Sequence, residues 1–577
     1  MSGIYGSFLK KSKHKNLYSN FSNFNLNSIK NEIIYKDITL GRCVLNKNHN
    51  DRFFDENDDF IVCFEGINYT KELRTIDDFI KSYKKEGLSF VKRLKGCFSG
   101  FLLDKQEEKI FIFNDHLASR SIFYYFSPEE GFIFSSELKL ISKLMSTNGI
   151  HKNLDLDGVY LLALYGHLLD DITILEEVKR LPYSSIITYD INAQTCNVDS
   201  WFKYSKEKKS DMTLDEAIKG IDELMVSAIR EEWNKDIEYG KKHFSLLSGG
   251  MDAKTNVLIA KSLGFSKMNT LTFGQSKSSD VKIAEDVSVK NGFDHTTMLL
   301  DNGNYLVEDT FKKYISVTDG LMMFHTSSHM QSSIEKVNFE DFAVLHSGQI
   351  GDLLFGSFIK RNGYNLIKNK DSIGYTGFIR NINALNKITK LDLILERYSK
   401  NQDYELYTYE QRVNNAVTTG DRAVSNWVDH VSPFYDKKLI EFCLTIPDEF
   451  KINESIYFKW LAKKHPNVLQ FKWDKIEMAP TNSFKIKYGK IFKKYYNGAK
   501  KYFKWNYESM TPFSKWIKTN PAILENLNTI FNSEINKIEN LELKNDLETI
   551  FKADVFEYRN KFAVVTTLLA IKMHYEV

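Results

Sequence analysis

A serine, two glycines and an aspartate stand where an apolar run ends and a helical pattern begins. The run His243–Leu247 predicts a strand, Ser248-Gly249-Gly250-Met251-Asp252 follows it, and Lys254–Ser262 predicts a helix. Glycines let the backbone approach a phosphate closely, and the helix N-terminus favours an anion. A carboxylate at the same turn can hold Mg²⁺ on phosphate oxygens. The segment therefore predicts a nucleotide loop, with an ordinary glycine turn as the alternative.

Strand and helix patterns alternate around this loop. A helix over Leu214–Trp233 is predicted to start behind the capping pair Thr213 and Glu216. Further along, Met268–Phe273 and Phe342–His346 predict buried strands, and Ser279–Lys290 predicts a helix between them. Alternation of this kind is typical of a parallel sheet with crossover helices. The region from about 360 to 577 has a largely helical pattern, and we expect one domain over residues 212–577.

The first 200 residues have a different sequence pattern, in which polar turns separate short runs of β-branched and aromatic residues. Strands are predicted over Phe60–Phe64, Phe98–Leu103, Ile110–Phe113, Ser121–Phe126, Gly131–Ser135 and Ser185–Tyr189. Helices are predicted over Ile76–Glu86 and Leu156–Leu168. The charged stretch Lys203–Asp211 is the predicted linker to the second domain. The chain is therefore expected to hold two domains, one α+β and one α/β.

Three segments of the second domain resemble a known family. Ser248–Asp252, Leu271–Gly274 and Ser347–Asp352 are similar to the motifs of the ATP-pyrophosphatase domain of glutamine-dependent asparagine synthetases. Val431–Asp436 is similar to the family's R-V-P-F-L-D, and Lys472–Lys475 brings Lys475 onto the family's catalytic lysine. The family includes β-lactam synthetases, lasso-peptide cyclases and amidating enzymes of surface-polysaccharide pathways. The resemblance covers most of the chain.

The resemblance implies a reaction and a set of site residues. Members bind ATP with Mg²⁺, transfer AMP to a carboxylate with release of pyrophosphate, and let an amine attack the acyl-adenylate. Asp252 and Asp352 match the two aspartates that hold Mg²⁺, and Lys475 matches the lysine that stabilises negative charge in the transition state. The implied nucleotide-binding positions are Leu246, Ser248, Gly249, Gly250, Asp252, Phe273 and Gly348.

The opening Met-Ser-Gly-Ile-Tyr-Gly resembles the M-C-G-I-x-G start of N-terminal-nucleophile glutaminases. For residues 1–202 this implies a four-layered α/β/β/α sandwich. Ser2 replaces the nucleophilic cysteine, and a hydroxyl is far harder to ionise than a thiol of pKa about 8.5. The family's N-G-E motif reads Glu65-Gly66-Ile67, and nothing around Asn27–Asp37 matches its R-H-R-G-P-D motif. We expect a domain without glutaminase activity, with a serine-dependent amidohydrolase of another substrate as the alternative.

The second domain also departs from the family pattern. Ala253 stands where a serine or threonine is usual, so one hydroxyl contact to phosphate is lost unless Lys254 replaces it. Gln349 and Leu353 stand where the family carries two glutamates. Because Gln349 cannot act as a base, we expect an acceptor carboxylate other than that of aspartate. The favoured function is an ATP-dependent amide-forming ligase, and the alternatives are an asparagine synthetase with a serine nucleophile or a non-catalytic scaffold.

Composition limits the classes of partner and the compartment that we expect for this protein. The formal net charge is only +3, which is poor support for nucleic-acid binding. Five scattered cysteines without CxxC spacing fit a reducing compartment, and no apolar run is long enough for a membrane span. We therefore expect a cytoplasmic protein. Its substrates are expected to be a small-molecule, peptide or sugar carboxylate and ammonia or an amine, and a separate glutaminase or a second copy of the chain is an open partner.

Overall fold

The computed structural model describes residues 3–10, 28–307, 310–357, 359, 382–399, 404–482, 484–489, 491, 509–553 and 557–576. Ser2 lies outside these ranges. The strands are β1 (Gly3–Leu9), β2 (Ser28–Tyr35), β3 (Ile38–Leu45), β4 (Phe53–Glu56), β5 (Phe60–Asn68), β6 (Gly96–Asp104), β7 (Lys109–Asn114), β8 (Phe123–Ser127), β9 (Gly131–Ser135), β10 (Val178–Arg180), β11 (Ser185–Asp190), β12 (Thr195–Ser200), β13 (His243–Leu246), β14 (Met268–Gly274), β15 (Asp294–Leu299), β16 (Val344–His346) and β17 (Asp429–Val431).

Helices carry most of the second half of the chain. They are α1 (Ile76–Glu86), α2 (Leu138–Thr147), α3 (Leu156–Tyr165), α4 (Leu214–Glu238), α5 (Met251–Ser262), α6 (Ser279–Asn291), α7 (Thr310–Thr318), α8 (Ser328–Ile334), α9 (Gly351–Leu354), α10 (Ile382–Leu385), α11 (Leu391–Ser399), α12 (Tyr404–Tyr407), α13 (Thr418–Asp421), α14 (Lys437–Thr445), α15 (Asp448–Lys451), α16 (Ser455–Lys464), α17 (Phe513–Thr519), α18 (Pro521–Ile535), α19 (Leu541–Lys552) and α20 (Glu557–His574). A π-helical segment, Thr408–Val417, joins α12 to α13.

The first twelve strands form two six-stranded antiparallel sheets that face each other. Their orders are β10-β8-β9-β1-β3-β2 and β12-β11-β7-β6-β5-β4. Apolar side chains from both sheets meet between them, for example Ile4 and Phe134 of one sheet and Ile61 and Phe101 of the other. Helix α1 covers the outer face of the second sheet, and α2 and α3 pack outside the first. This is the predicted α/β/β/α sandwich.

The remaining strands form one parallel sheet in the order β15-β14-β13-β16-β17. Parallel strands need crossover connections, and α5 and α6 supply two of them. Because α5 follows β13 directly and α9 follows β16, both loops open at the carboxyl edge of the sheet, where such sheets bind ligands. The parallel sheet predicted from the alternating pattern is confirmed.

Helix boundaries match the predictions at α1 and at the start of α4. In contrast, α5 begins at Met251, three residues before the predicted Lys254, and α3 ends at Tyr165, three residues before the predicted Leu168. Helix α4 starts at the predicted capping box, in which Thr213 Oγ accepts from the Glu216 amide at 3.2 Å. It ends at Glu238, five residues beyond the predicted Trp233. The extra turn carries Lys235, whose buried ammonium bonds Asp51 of the first domain at 2.7 Å. The extra turn thus carries a contact across domains, which local sequence does not predict.

The C-terminal helices join the two domains. Helix α20 packs along α3 of the sandwich and against α18 and α19. Buried residues from these elements, including Leu161, Phe531, Leu547 and Phe562, belong to one continuous apolar cluster. Within the described residues, no helix is both long enough and apolar enough to span a bilayer. The five cysteines are free thiols, four of them buried.

Candidate functional site

The predicted nucleotide loop turns tightly between β13 and α5. Ser248 Oγ accepts from the Gly250 amide at 3.2 Å, and α5 begins at the next residue. A Cβ on Gly249 would lie 2.9 Å from the Cβ of Asp474 and 3.2 Å from the Cα of Asp280. Glycine is therefore required because two neighbouring segments press against the loop. The amides at the start of α5 have no helical partner and are left for an anion.

The loop after β16 packs directly on the first loop. A Cβ on Gly348 would lie 2.4 Å from the backbone nitrogen of Ala253, and one on Gly351 would lie 2.6 Å from Asp252 Cγ. Between these glycines, Ile350 has a φ of 61°, a left-handed conformation that is costly for a β-branched residue. Strained residues of this kind persist where the surrounding structure enforces them, often at functional sites. The two loops thus form one interlocked unit.

The interlocking brings the two predicted metal-binding aspartates together. The Asp352 amide donates to Asp252 Oδ2 at 2.9 Å, and both side chains are half-buried. Burial and the charge of Asp352 raise the pKa of Asp252 to about 8. Burial also raises the pKa of Asp352. Two crowded carboxylates that resist ionisation are a set of oxygen ligands suited to Mg²⁺, so the residues present fit the metal that the resemblance implies.

Lys475 faces this carboxylate pair. Its Nζ lies 3.4 Å from Glu454 Oε1, and its side chain is 45% exposed. Burial lowers the pKa of Lys475, but Glu454, Asp352 and Asp252 outweigh it and the net shift is upward. The lysine is therefore a permanent cation near neutral pH. It is held by Glu454 and remains accessible to a ligand.

Glu454 is a site residue that the sequence patterns missed. Its carboxylate is buried, and it influences Asp252 and Asp352 electrostatically. It follows Asn453, and the two residues have φ angles of 65° and 56°. Two consecutive left-handed residues that are not glycine are costly, so tertiary packing must hold them. Glu454 supplies a carboxylate to a site in which Gln349 and Leu353 lack theirs.

Lys254 has a structural role next to the nucleotide loop. Its ammonium donates to the carbonyl oxygen of Lys472, and the side chain is fully buried. Burial lowers its pKa to about 8. Lys254 therefore ties α5 to the segment that carries Lys475, and its bond to that backbone does not replace the hydroxyl absent at Ala253.

An open cleft of about 480 Å³ lies over the two loops. Six of the predicted nucleotide-binding positions line it, namely Leu246, Ser248, Gly250, Asp252, Phe273 and Gly348. Gly249 lies in the same turn without lining the cleft. Asp352 and Lys475 do not line it either, but both act electrostatically on Asp252, which does. Leu246 and Phe273 offer apolar surface that suits a base, and the amides of the loop suit phosphates.

A polar wall of the cleft comes from the π-helical segment, α13 and β17. Arg412 projects from the π-helical segment, a type of helix distortion that is frequent at functional sites. His430 Nδ1 lies 3.0 Å from Asp421 Oδ1, and the Tyr435 hydroxyl donates to Asp421 Oδ2 at 2.6 Å. A cation beside a polar, structured wall can receive a carboxylate substrate. Tyr435 lies in the motif Val431–Asp436, whereas sequence reasoning did not single out Arg412, Asp421 and His430, because no recognised motif contains them.

A buried ion cluster joins the sandwich to the edge of the parallel sheet. Arg52 donates to both carboxylate oxygens of Asp429, at 2.7 and 2.6 Å, and lies 3.1 Å from Glu65. Arg120 pairs with the same aspartate, and Asn48 donates to it at 2.8 Å. Glu65, in the segment where the family has its glutamine-pocket motif, is thus paired in a domain contact.

A second buried network lies between α4 and strands β13 and β16. His346 contacts Glu232 from Nδ1 and Asp236 from Nε2, both at 2.6 Å, and His243 lies 2.8 Å from Asp236. The Trp233 ring stacks on His346 at 4.3 Å. Burial lowers the pKa of His346, but the two carboxylates outweigh it and raise the pKa to about 9. This network fixes α4 against the strand that carries the second loop.

Comparisons with known proteins agree with this arrangement. The family model described as glutamine amidotransferase domain matches residues 72–202, and the one described as asparagine synthase matches residues 220–465. A Methanocaldococcus jannaschii protein named as a glutamine-hydrolysing asparagine synthetase is 25% identical over 356 residues, covering 58% of this chain and 63% of that protein. Asparagine synthetase [glutamine-hydrolyzing] 2 of Bacillus subtilis is 22% identical over 457 residues, covering 69% and 58%.

The chain therefore spans less than two thirds of the length of these relatives. A solved structure, the phosphoribosylpyrophosphate amidotransferase of B. subtilis complexed with ADP and GMP, covers 47% of this chain and 78% of its own at 8% identity. The TM-score of this likeness is 0.20. The two adjoining family matches, the sandwich and the paired loops of the parallel sheet lead to one conclusion: this chain is an asparagine synthetase-like protein.

Proposed function

We propose that this chain is an ATP-dependent ligase that activates a substrate carboxylate as its adenylate and joins it to ammonia or an amine. The observation that carries the proposal is the meeting of Asp252 and Asp352 beside the Ser-Gly-Gly turn, with Lys475 close by. A site of this kind can hold a nucleotide triphosphate and its metal while a cation faces the reacting centre. Pyrophosphate and AMP are the expected products.

Each group has a role that follows from its position. The amides at the start of α5 bind phosphate oxygens, and Asp252 and Asp352 would hold Mg²⁺. When bound, the metal neutralises charge that develops on the departing pyrophosphate. Lys475 stabilises negative charge on the oxygens of the reacting carbonyl or phosphate, and Glu454 positions Lys475.

The acceptor is proposed to be a carboxylate other than aspartate, belonging to a small molecule, a peptide or a sugar. Arg412, which lines the same cleft as the nucleotide loop, supplies the cation that would pair with this carboxylate. Gln349 lines the same cleft and offers an amide where the family has a carboxylate. The acceptor therefore meets hydrogen-bond donors at this position as well as acceptors.

The nitrogen is proposed to come from free ammonia, a separate glutaminase or an amine of the substrate. Support comes from the first domain. Serine stands at position 2, and Glu65 is paired with Arg52 in the contact between domains. A carboxylate engaged in a buried ion cluster is not available to a glutamine molecule. The sandwich then serves as a packing partner of the ligase domain.

Calorimetry with ATP and Mg²⁺ tests the nucleotide site. Wild type is expected to bind, and Asp252→Asn and Asp352→Asn are each expected to weaken binding by about 10-fold or more, because each removes an anionic metal ligand. Asp341→Asn is the matched control, since Asp341 pairs with Lys242 on the surface. Wild type that stays folded and does not bind ATP would refute the nucleotide site.

Product assays test the rest of the proposal. Pyrophosphate release with a panel of carboxylates and ammonia should appear in wild type and be lost in Asp352→Asn. AMP should form in equal amount, because ADP formation would mean a different phosphoryl chemistry. Glutamine hydrolysis by the purified chain should be absent. Glutamate formation that disappears in Ser2→Ala would instead support a glutamine-dependent synthetase with a serine nucleophile.

A further inference from the structure

A second pocket, of about 310 Å³, lies between the two domains and has no lining residue in common with the nucleotide cleft. One side is formed by residues 92–97 of the sandwich, and the other by α4 and the turn before α14. Its floor is apolar and buried, with Leu94, Ala228 and Tyr435 among its members. A volume of this size and an apolar floor suit a small organic ligand.

The rim of this pocket is strongly cationic. Lys92, Arg93, Lys95, Lys437 and Lys438 line it. The carboxylates on the same lining are Glu231, Glu232 and Asp436. Glu232 is engaged with His346 at 2.6 Å, which leaves the cations in clear excess. Such an excess at the mouth of an apolar cavity attracts anions and repels cations.

Two of these cations have no compensating partner. Arg93 pairs with Glu86 at 2.6 Å, and Lys95 lies 3.5 Å from Glu231. In the part of the chain that the structure describes, Lys92 and Lys438 make no ion pair. One belongs to each domain, and both are exposed. Like charges that converge from two domains are unfavourable unless a bound anion compensates them.

Lys437 adds a third cation with a fixed position. Its ammonium lies 4.2 Å from the centre of the Phe202 ring and 5.2 Å from that of Trp201. Burial, together with Lys438 and Lys92, lowers its pKa, while Glu441 and Asp436 oppose the shift. The stacking holds the side chain in place, so a ligand would not have to order it.

The geometry points to a binding site between the two domains for a small amphipathic anion, with an apolar body and a carboxylate, sulfonate or phosphate group. The apolar body would lie on the floor formed by Leu94, Ala228 and Tyr435. The anionic group would lie between Lys92 of one domain and Lys438 of the other. This site stands on observations separate from those of the nucleotide cleft and does not depend on the proposed ligase activity.

The pocket is also connected to the cleft. Ser432, in its lining, donates from Oγ to the carbonyl oxygen of Gln349 at 3.0 Å. His116, on the sandwich side, bonds through Nε2 to the Tyr435 carbonyl at 2.7 Å. The turn Pro433–Tyr435 is therefore held by the sandwich on one side and next to the second nucleotide loop on the other. An occupant would contact both domains at this turn.

Fluorescence titration with anilinonaphthalene sulfonate tests the site, because this probe combines aromatic rings with a sulfonate. The titration is done on the full chain without nucleotide, because a phosphate-bearing anion such as MgATP would compete for the site. Wild type is expected to show one saturable site per chain. The double variant K92E/K438E should bind at least about 10-fold more weakly, because two attractive charges become repulsive. Uncharged N-phenylnaphthylamine should bind both proteins alike.

Two further variants separate the pocket from general charge and folding effects. K290E/K552E changes the net charge by the same amount at exposed lysines that do not line the pocket and should bind the sulfonate like wild type. Ala228→Phe fills the floor without changing charge and should also weaken binding. Melting temperatures confirm that each variant is folded. Wild type without saturable binding, or equal affinity in wild type and K92E/K438E, would overturn the proposal.

Discussion

Asp429→Asn should uncouple the sandwich from the parallel sheet. Asp429 is buried at the start of β17 and is contacted by Arg52, Arg120 and Asn48. Asparagine keeps the shape and one acceptor but removes the charge. Both arginines then remain buried with Glu65 as the carboxylate near them. A buried cation that loses its partner is destabilising by about 3–5 kcal/mol.

The pKa of Asp429 gives the size of this loss in unfolding free energy in a second way. Burial would raise this pKa, but Arg52 and Arg120 outweigh it and lower it from 3.8 to about 2. The difference corresponds to about 2.4 kcal/mol of stability from the ionised form. Because the folded pKa is depressed, this stability is present above pH 4 and is lost as the pH falls toward 2. The two routes give about 3–5 and about 2.4 kcal/mol, so we expect a loss of about 3 kcal/mol at pH 7.

Urea unfolding at 25 °C, followed by tryptophan fluorescence, measures the loss. Asp429→Asn should unfold at a clearly lower urea concentration at pH 7, and its deficit against wild type should shrink by about 1 kcal/mol at pH 3. Asp341→Asn, which breaks the exposed pair with Lys242, should cost less than about 1 kcal/mol. If the two variants are equally stable at pH 7, the buried cluster does not hold the domains together and the reasoning fails.

Further predictions concern the site and its supports. Gly348→Ala forces a Cβ to within 2.4 Å of the Ala253 nitrogen, so the two loops must separate by about 1 Å. Pyrophosphate release should therefore fall by about 100-fold or more. Unchanged turnover would contradict the interlocked loops. Lys475→Met should lower kcat by about 100-fold or more while calorimetry shows MgATP binding within a few-fold of wild type, and a selective loss of ATP affinity would place the lysine in ground-state binding instead. Glu454→Gln should lower kcat by about 10-fold with a smaller change in ATP affinity, since the substitution removes the carboxylate that lies 3.4 Å from the Lys475 ammonium. Wild-type turnover in this variant would exclude a role of Glu454 in positioning Lys475. Raising the pH from 6.5 through 9 should lower the stability of wild type as His346 loses its proton, because the pKa of His346 is about 9 when folded and 6.5 when unfolded. In thermal unfolding, His346→Gln should lack this pH dependence.

Local patterns sufficed for the elements whose signals lie within a few residues. The capping pair Thr213 and Glu216 predicted the start of α4, and Ile76–Glu86 was predicted to the residue. The run that precedes the Ser-Gly-Gly turn predicted β13 within one residue. Hydrogen bonds and side-chain periodicity within one segment determine these features, so they can be read without knowledge of the fold.

Strands without a clear local pattern escaped prediction. Strands β2, β4, β12 and β15 are short or edge strands with many polar, exposed residues, so their hydrophobic pattern is weak. Strand β17 has three residues and exists because it pairs with β16. Pairing partners far along the chain decide such strands, and a single segment does not carry that information.

For the candidate site, the sequence by itself determined the motif residues, namely the two loops, Asp252, Asp352 and Lys475. Their types and spacing express a local requirement for turns, amides and carboxylates. Only the tertiary structure decided that Glu454 joins them, that Lys254 binds a backbone carbonyl, and that Glu65 is paired with Arg52 beside the contact between domains. These roles depend on contacts between residues tens to hundreds of positions apart, and such contacts exist only once the sheets and helices have packed.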